Sequence, residues 1–139
     1  MMGMEASTPG VTVDGATDLS AKPTISVDTA SEPPRTLQQH DLVEGDGPEI
    51  ARGDTASVQY VGVSWSTGRE FDASWERGRP FSFPAGAGRV IAGWDQGVVG
   101  MRKGGRRLLV IPPDLGYGAR GAGGVIGPDE TLVFVVDAL

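Results

Sequence analysis

Apolar and polar positions change period several times along this chain, and each change marks an element. From Val90 to Met101 the sequence reads V-I-A-G-W-D-Q-G-V-V-G-M, with Ile91, Trp94, Val98 and Met101 at helical spacing. Gly93, Gly97 and Gly100 form a second stripe beside the first. Each glycine costs a helix interior roughly 1 kcal/mol relative to alanine, so so short a stretch is helical only when buried. A glycine edge lets another backbone approach closely, and strand-like runs lie on both sides. The pattern therefore predicts one short helix pressed into a curved sheet, with Trp94 the largest side chain at the contact.

The flanking runs have strand character. Leu37 to Val43 is a first strand, ended by the turn-forming Glu44-Gly45-Asp46-Gly47-Pro48. Ser57 to Trp65 is a longer one, with Val58, Tyr60 and Gly62 on one face and Val61, Val63 and Trp65 on the other. Ser66-Thr67-Gly68-Arg69 turns the chain into Glu70-Phe71-Asp72, and Phe81 and Phe83 alternate with Ser82. Arg106 to Ile111 is another strand, stopped by Pro112-Pro113. Leu115 to Pro128 is a glycine-dense loop, and Thr131 to Leu139 is apolar enough to lie centrally in a sheet. The fold class is α+β: an antiparallel sheet with one short helix.

Residues 1–34 differ in character. They are rich in Ser, Thr, Ala, Gly and Pro and contain no aromatic residue, so they bury too little apolar surface to offset their ordering entropy alone. The expectation is a mostly mobile tail ending at Glu32-Pro33-Pro34, with a globular domain over 35–139. Within the tail Thr24 to Val27 alternates like a short strand, as Val11 and Val13 do weakly, and either could add to a sheet edge.

Charge and composition narrow the function. The tail holds five acidic side chains against one lysine, −4 of the total −6, which leaves −2 for the remainder. Neither part suits nucleic acid as a main partner. Arg102, Lys103, Arg106 and Arg107 form a local basic cluster beside glycines and read as a solvated loop. Cysteine is absent, which excludes disulfides, thiol nucleophiles and thiolate metal sites, and a single histidine, His40, leaves little for metal. No apolar run is long enough to cross a bilayer and no secretory signal pattern opens the chain, so a cytoplasmic location without membrane contact is expected. A monomer is expected as well. The stretch L-G-Y-G-A-R-G-A-G-G lacks the terminal Lys-Ser/Thr and following helix of a phosphate loop.

The order Y-V-G, G-R-E-F-D-A-S, R-P-F-S-F, V-I-A-G-W-D-Q-G-V, R-R-L-L-V-I-P-P, L-G-Y-G and T-L-V-F-V-V-D-A-L resembles the FKBP-type peptidyl-prolyl isomerases over about residues 35–139. The resemblance implies a twisted antiparallel sheet wrapped around the helix, with a hydrophobic cleft between them. It places Tyr60, Phe71, Asp72, Phe81, Val90, Ile91, Trp94, Tyr117, Ile126 and Phe134 along that cleft. Trp94 would form the floor under a proline ring, the Ile91 amide and Tyr117 hydroxyl would donate to the ligand, and Asp72 would sit beside Tyr60. Asp72, Tyr117, Trp94, Tyr60 and Phe134 are the residues it implies for catalysis, with proline-containing polypeptides as substrates, macrolides of the rapamycin type as inhibitors and no cofactor. Two departures bear on substrate preference: Gly127 stands where a proline is common, and Ala122 and Gly123 leave the loop tip without large side chains.

The residues are consistent with that chemistry on their own terms. Rotation about a peptide bond faces a barrier of about 18–20 kcal/mol set by resonance, and no covalent bond breaks, so nucleophile, metal and cofactor are unnecessary. The twisted transition state loses resonance and its carbonyl is less dipolar, so an apolar cleft with a few oriented donors favours it. Two other classes use the same cleft: a proline-segment binding module without turnover, and a chaperone for unfolded chains. The chaperone class commonly carries an extra domain after the Tyr117 position, and Gly118 to Pro128 has no room for one.

Overall fold

The computed structural model describes residues 8–139. Eight strands and two short helices follow in the order β1 (Val11–Asp14), β2 (Thr24–Val27), β3 (Gln38–Val43), β4 (Thr55–Ser64), β5 (Glu70–Ala73), α1 (Ser74–Arg77), β6 (Phe81–Pro84), α2 (Ala92–Val98), β7 (Arg106–Ile111) and β8 (Leu132–Ala138). Six strands form one sheet, five in the order β3-β7-β8-β4-β5 and the sixth, β6, paired with β4, and all described pairings are antiparallel. The ten-residue β4 shares its outer edge between two partners, β6 along Thr55 to Val58 and β5 along Val61 to Val63. In the gap, the Tyr60 N–H donates to the Ser74 hydroxyl at 2.7 Å, so α1 begins where the ladder pauses.

The last strand is central, as its apolar run predicts, and every residue of it is buried. Its side chains alternate between two cores. Leu132, Phe134, Val136 and Ala138 join Trp94, Val98 and Met101 on the helix side, while Val133 and Val135 face the opposite side with Val61, Val63, Leu108 and Val110. Helix α2 packs where its glycines permit. A Cβ on Gly93 would stand 2.5 Å from Ile111 Cγ2, and one on Gly97 2.6 Å from Leu109 Cδ2, so two turns of glycine let the helix sit directly on β7. The helix is shorter than the apolar period: Gly100 lies beyond it at φ +96°, in the turn towards β7 rather than at the packing edge.

The expectation of a mostly mobile tail over 1–34 is corrected for the described part; residues 1–7 lie outside it. β1 and β2 form a separate two-stranded sheet that covers the back of the main sheet instead of extending its edge. Val11, Val13, Ala16 and Ile25 are buried there against Val61, Val63, Trp65, Leu108, Val110, Val133 and Val135. The Trp65 indole N–H donates to the Ser31 carbonyl at 3.0 Å, and Lys22 pairs with Glu70 at 2.9 Å and with Glu76. Too few apolar residues fold this segment alone; the apolar back of the sheet supplies the missing surface.

The basic cluster is likewise not one solvated loop. Arg102 and Lys103 are exposed, but the Arg106 side chain is fully buried, donating from Nε to Asp137 at 2.6 Å and from Nη2 at 2.8 Å. Its remaining donors reach the carbonyls of Gly15 at 2.6 Å and Ala21 at 3.1 Å, in the loop between β1 and β2. Arg107 on the other face holds Asp41 at 2.7 Å and the Gly97 carbonyl at 2.9 Å, fastening the end of α2 to the sheet. No helix among the described residues is long and apolar enough to cross a membrane.

Candidate active site

The cleft opens between α2 and the concave face of the sheet, with a volume of about 280 Å³. Trp94 is at its base and only 4% exposed. Tyr60 from β4 and Phe134 from β8 meet the indole edge to face, with ring centroids 4.9 and 5.3 Å away, and Phe71 from β5 meets Phe134 at 5.5 Å. Phe81 from β6 closes one side, 6.0 Å from Trp94. Edge-to-face rings lock one another, so the base of the cleft is a rigid aromatic surface. Gly62 makes this possible, because a Cβ there would fall 2.6 Å from Phe134 and 2.7 Å from Phe71.

The wall beside the helix is built from the loop that enters it. Asp95, in the first turn of α2, accepts the Gly86 N–H on one carboxylate oxygen and the Gly88 N–H on the other, both at 2.9 Å. That staple fixes Arg89, Val90 and Ile91 along the cleft. Ile91 precedes the helix at φ −59°, ψ 149°, and its carbonyl accepts from Trp94 and Asp95. Its own N–H has no hydrogen-bond acceptor among the described residues. Across the opening Tyr117 stands between two 3-10 turns, Pro113–Leu115 and Gly118–Arg120, 41% exposed and with its hydroxyl unpartnered among the described residues. The Trp94 indole nitrogen is buried and also unpartnered.

One polar cluster lies at the edge of this apolar surface. The Tyr60 hydroxyl donates to Asp72 Oδ2 at 2.5 Å; Arg77 donates to Asp72 Oδ1 and to the Tyr60 hydroxyl, each at 2.7 Å, with its guanidinium 5.6 Å from the Tyr60 ring centre. Burial pushes the Tyr60 hydroxyl up to about 12, helped by the hydrogen bond to Asp72. Burial alone would raise Asp72 too, but the hydrogen bonds from Tyr60 and Arg77 outweigh it, and the carboxyl is held below its ordinary 3.8. Tyr117 is raised, first by burial and then by the charge of Asp72. Near neutral pH the cluster is a carboxylate, a neutral phenol and a guanidinium, with no proton to exchange.

Nine of the ten cleft residues expected from the sequence line this space: Tyr60, Phe71, Asp72, Phe81, Val90, Ile91, Trp94, Tyr117 and Phe134. Ile126 does not. It is 5% exposed and packs in the core beneath with Trp94 and Phe134, its backbone closing the loop through two bonds with Ala122 at 2.9 and 3.0 Å. Two arginines were missed. Arg77 sits on the four-residue α1, too short to show a period, and Arg89 lies in a glycine-rich turn that reads only as a connection. Asp95 was also missed as a staple; an Asp in a first helical turn, after a loop with two glycines, is the signal that could have found it.

Comparisons with known proteins agree with this geometry. The family of FKBP-type peptidyl-prolyl cis-trans isomerases matches residues 47–139. The chain is 63% identical over 107 residues to an FK506-binding protein of Streptomyces anulatus, covering 76% of this chain and 86% of that protein. It is 50% identical over 100 residues to an FK506-binding protein of Neisseria meningitidis serogroup A, covering 71% and 90%. The crystal structure of AtFKBP13 aligns with a TM-score of 0.69 at 41% identity, over 78% of this chain and 94% of that one. The matched span begins after β3 and takes in β4 to β8, both helices and every cleft residue, so the chain belongs to the FKBP-type peptidyl-prolyl cis-trans isomerase family.

Proposed function

We propose that this cleft binds X-Pro segments of polypeptide chains with the proline ring on Trp94, accelerates rotation about the bond before the proline, and thereby assists proline-limited folding. The observation that carries the reading is the pairing of a rigid aromatic base with uncommitted donors at its rim, the Ile91 N–H and the Tyr117 hydroxyl. A peptide bound there exchanges water for aromatic surface around the rotating bond, which favours the less dipolar twisted carbonyl over the planar one. The two donors hold the backbone on either side in a bent geometry. Asp72 acts as a fixed charge that orients Tyr60, not as a proton carrier. Macrolides of the rapamycin type occupy the same apolar space and compete with substrate.

The test is cis-to-trans exchange in a short Leu-Pro peptide, followed by NMR without a coupled protease. Acceleration at micromolar protein, abolished by an equimolar macrolide, is expected. No acceleration overturns the enzymatic reading and leaves a binding module.

A further inference from the structure

Every charge at the cleft but one is spent. Asp72 is taken by Arg77 and Tyr60, and Asp95, on the loop side, is taken by two backbone N–H groups. Arg89 lines the cleft, is exposed, and has no ion pair or hydrogen-bond acceptor for its guanidinium among the described residues. Its backbone is held between the stapled Gly88 and the cleft residues Val90 and Ile91, so the guanidinium projects from a fixed point on the rim. The chain as a whole carries −6, which makes a single uncompensated cation at the mouth of its apolar cleft a local exception.

We infer that Arg89 is a specificity-determining residue that selects substrates carrying an acidic side chain close to the proline. The inference rests on the isomerase reading above. A chain laid over Trp94 and along Val90 and Ile91 passes Arg89 within one or two residues of the proline, where a Glu or Asp carboxylate meets the guanidinium while its proline stays on the aromatic base. Asp72 does not repel it, because Arg77 neutralises that carboxylate at 2.7 Å. The gain is that of a solvent-facing ion pair, about two- to fivefold in kcat/KM at low ionic strength.

The experiment uses the full chain and a series of short peptides around one X-Pro bond, with Glu or its neutral isostere Gln placed in turn before the proline, directly after it, or two residues after it. The expected result is a Glu-to-Gln ratio of kcat/KM of about two to five in at least one position, collapsing towards one in molar salt. Arg89→Gln brings the ratio to about one and Arg89→Glu below it. Lys103→Gln, which removes the same charge from an exposed turn outside the cleft, leaves the ratio as it was. A ratio of one in every position, or one that Arg89→Gln does not change, overturns the inference. Failure of the isomerase reading is distinct: none of the peptides, including the Gln series, is then accelerated.

Discussion

Arg106 on β7 and Asp137 on β8 face each other in a buried two-bonded pair, at 2.6 and 2.8 Å, on the side of the sheet opposite the cleft. Removing one partner leaves the other charged and buried without a counter-ion. Asp137→Ala is therefore expected to cost about 3–5 kcal/mol in urea unfolding, while Arg106→Met with Asp137→Leu recovers most of it. A single-mutant loss below about 1 kcal/mol would show that water reaches the pair.

The same arginine ties the N-terminal hairpin to the domain. Deleting residues 1–34 strips two carbonyl acceptors from Arg106 and uncovers Val61, Val63, Leu108, Val110, Val133 and Val135. The ordering entropy of the hairpin is recovered at the same time, which moderates the loss. The expected fall in Tm is roughly 5–15 °C, a loss of about 2–4 kcal/mol for a domain of this size, with increased binding of a hydrophobic dye. An unchanged Tm would mean that the hairpin contributes nothing to the stability of the sheet.

Gly93 tests the seat of the helix. The three nearest atoms to an added Cβ all belong to the Ile111 side chain, at 2.5 to 2.8 Å, so Gly93→Ala must displace that side chain, β7 or the helix. Helix propensity alone would favour alanine by about 1 kcal/mol. Overpacking of about 1–3 kcal/mol opposes it, and a net destabilisation with weakened ligand binding is expected, since Trp94 is the next residue. Calorimetry with and without a bound macrolide measures both; a stabilised variant would mean that the contact yields freely.

What the sequence made legible and what it hid have separate physical causes. β4, β7, β8 and α2 announce themselves because period-two and helical spacing are local properties of a buried face; of the nine cleft residues only Tyr60, Trp94 and Phe134 lie on those elements, and the set as a whole follows from the family resemblance rather than from period. Whether Arg106 is solvated depends on Asp137, 31 residues away, and on carbonyls 85 and 91 residues away. Two opposite charges embedded in neighbouring apolar strands are nonetheless a readable sign of a buried pair. The hairpin was hidden for the converse reason: β1 and β2 carry few apolar residues, and it is the two-sided apolar pattern of β4 and β8 that requires a cover on the second face.

Tyr60→Phe separates orientation from charge at the site. It removes the donor to Asp72 and the acceptor for Arg77 while leaving the ring against Trp94. The Asp72 carboxyl should titrate higher, because one of the bonds holding it down is lost, and the unfolding free energy should fall by about 0.5–1.5 kcal/mol. Carboxyl carbon chemical shifts followed through an acid titration read the first effect, and urea unfolding reads the second. An Asp72 titration identical to wild type would show that Arg77 alone controls it.

The pH dependence follows from the same cluster. Asp72 has a lowered folded value, so its contribution to stability is complete above its ordinary 3.8 and is lost as pH falls through the folded one. Tyr60 has a raised value, so its contribution is complete below its ordinary 10 and is lost as pH rises through about 12. Between those limits no group in the cluster changes charge, and His40, hydrogen-bonded to Thr8 at 3.1 Å, does not line the cleft. Catalytic efficiency is therefore expected to be flat from about pH 6 to 8 with at most a small solvent isotope effect, since general acid–base catalysis needs a group that titrates near the working pH. The measurement is kcat/KM on a non-titrating Leu-Pro peptide across that range, repeated with His40→Gln. A bell-shaped profile that survives the His40 replacement would place a proton transfer in the rate-limiting step and overturn catalysis by desolvation and orientation.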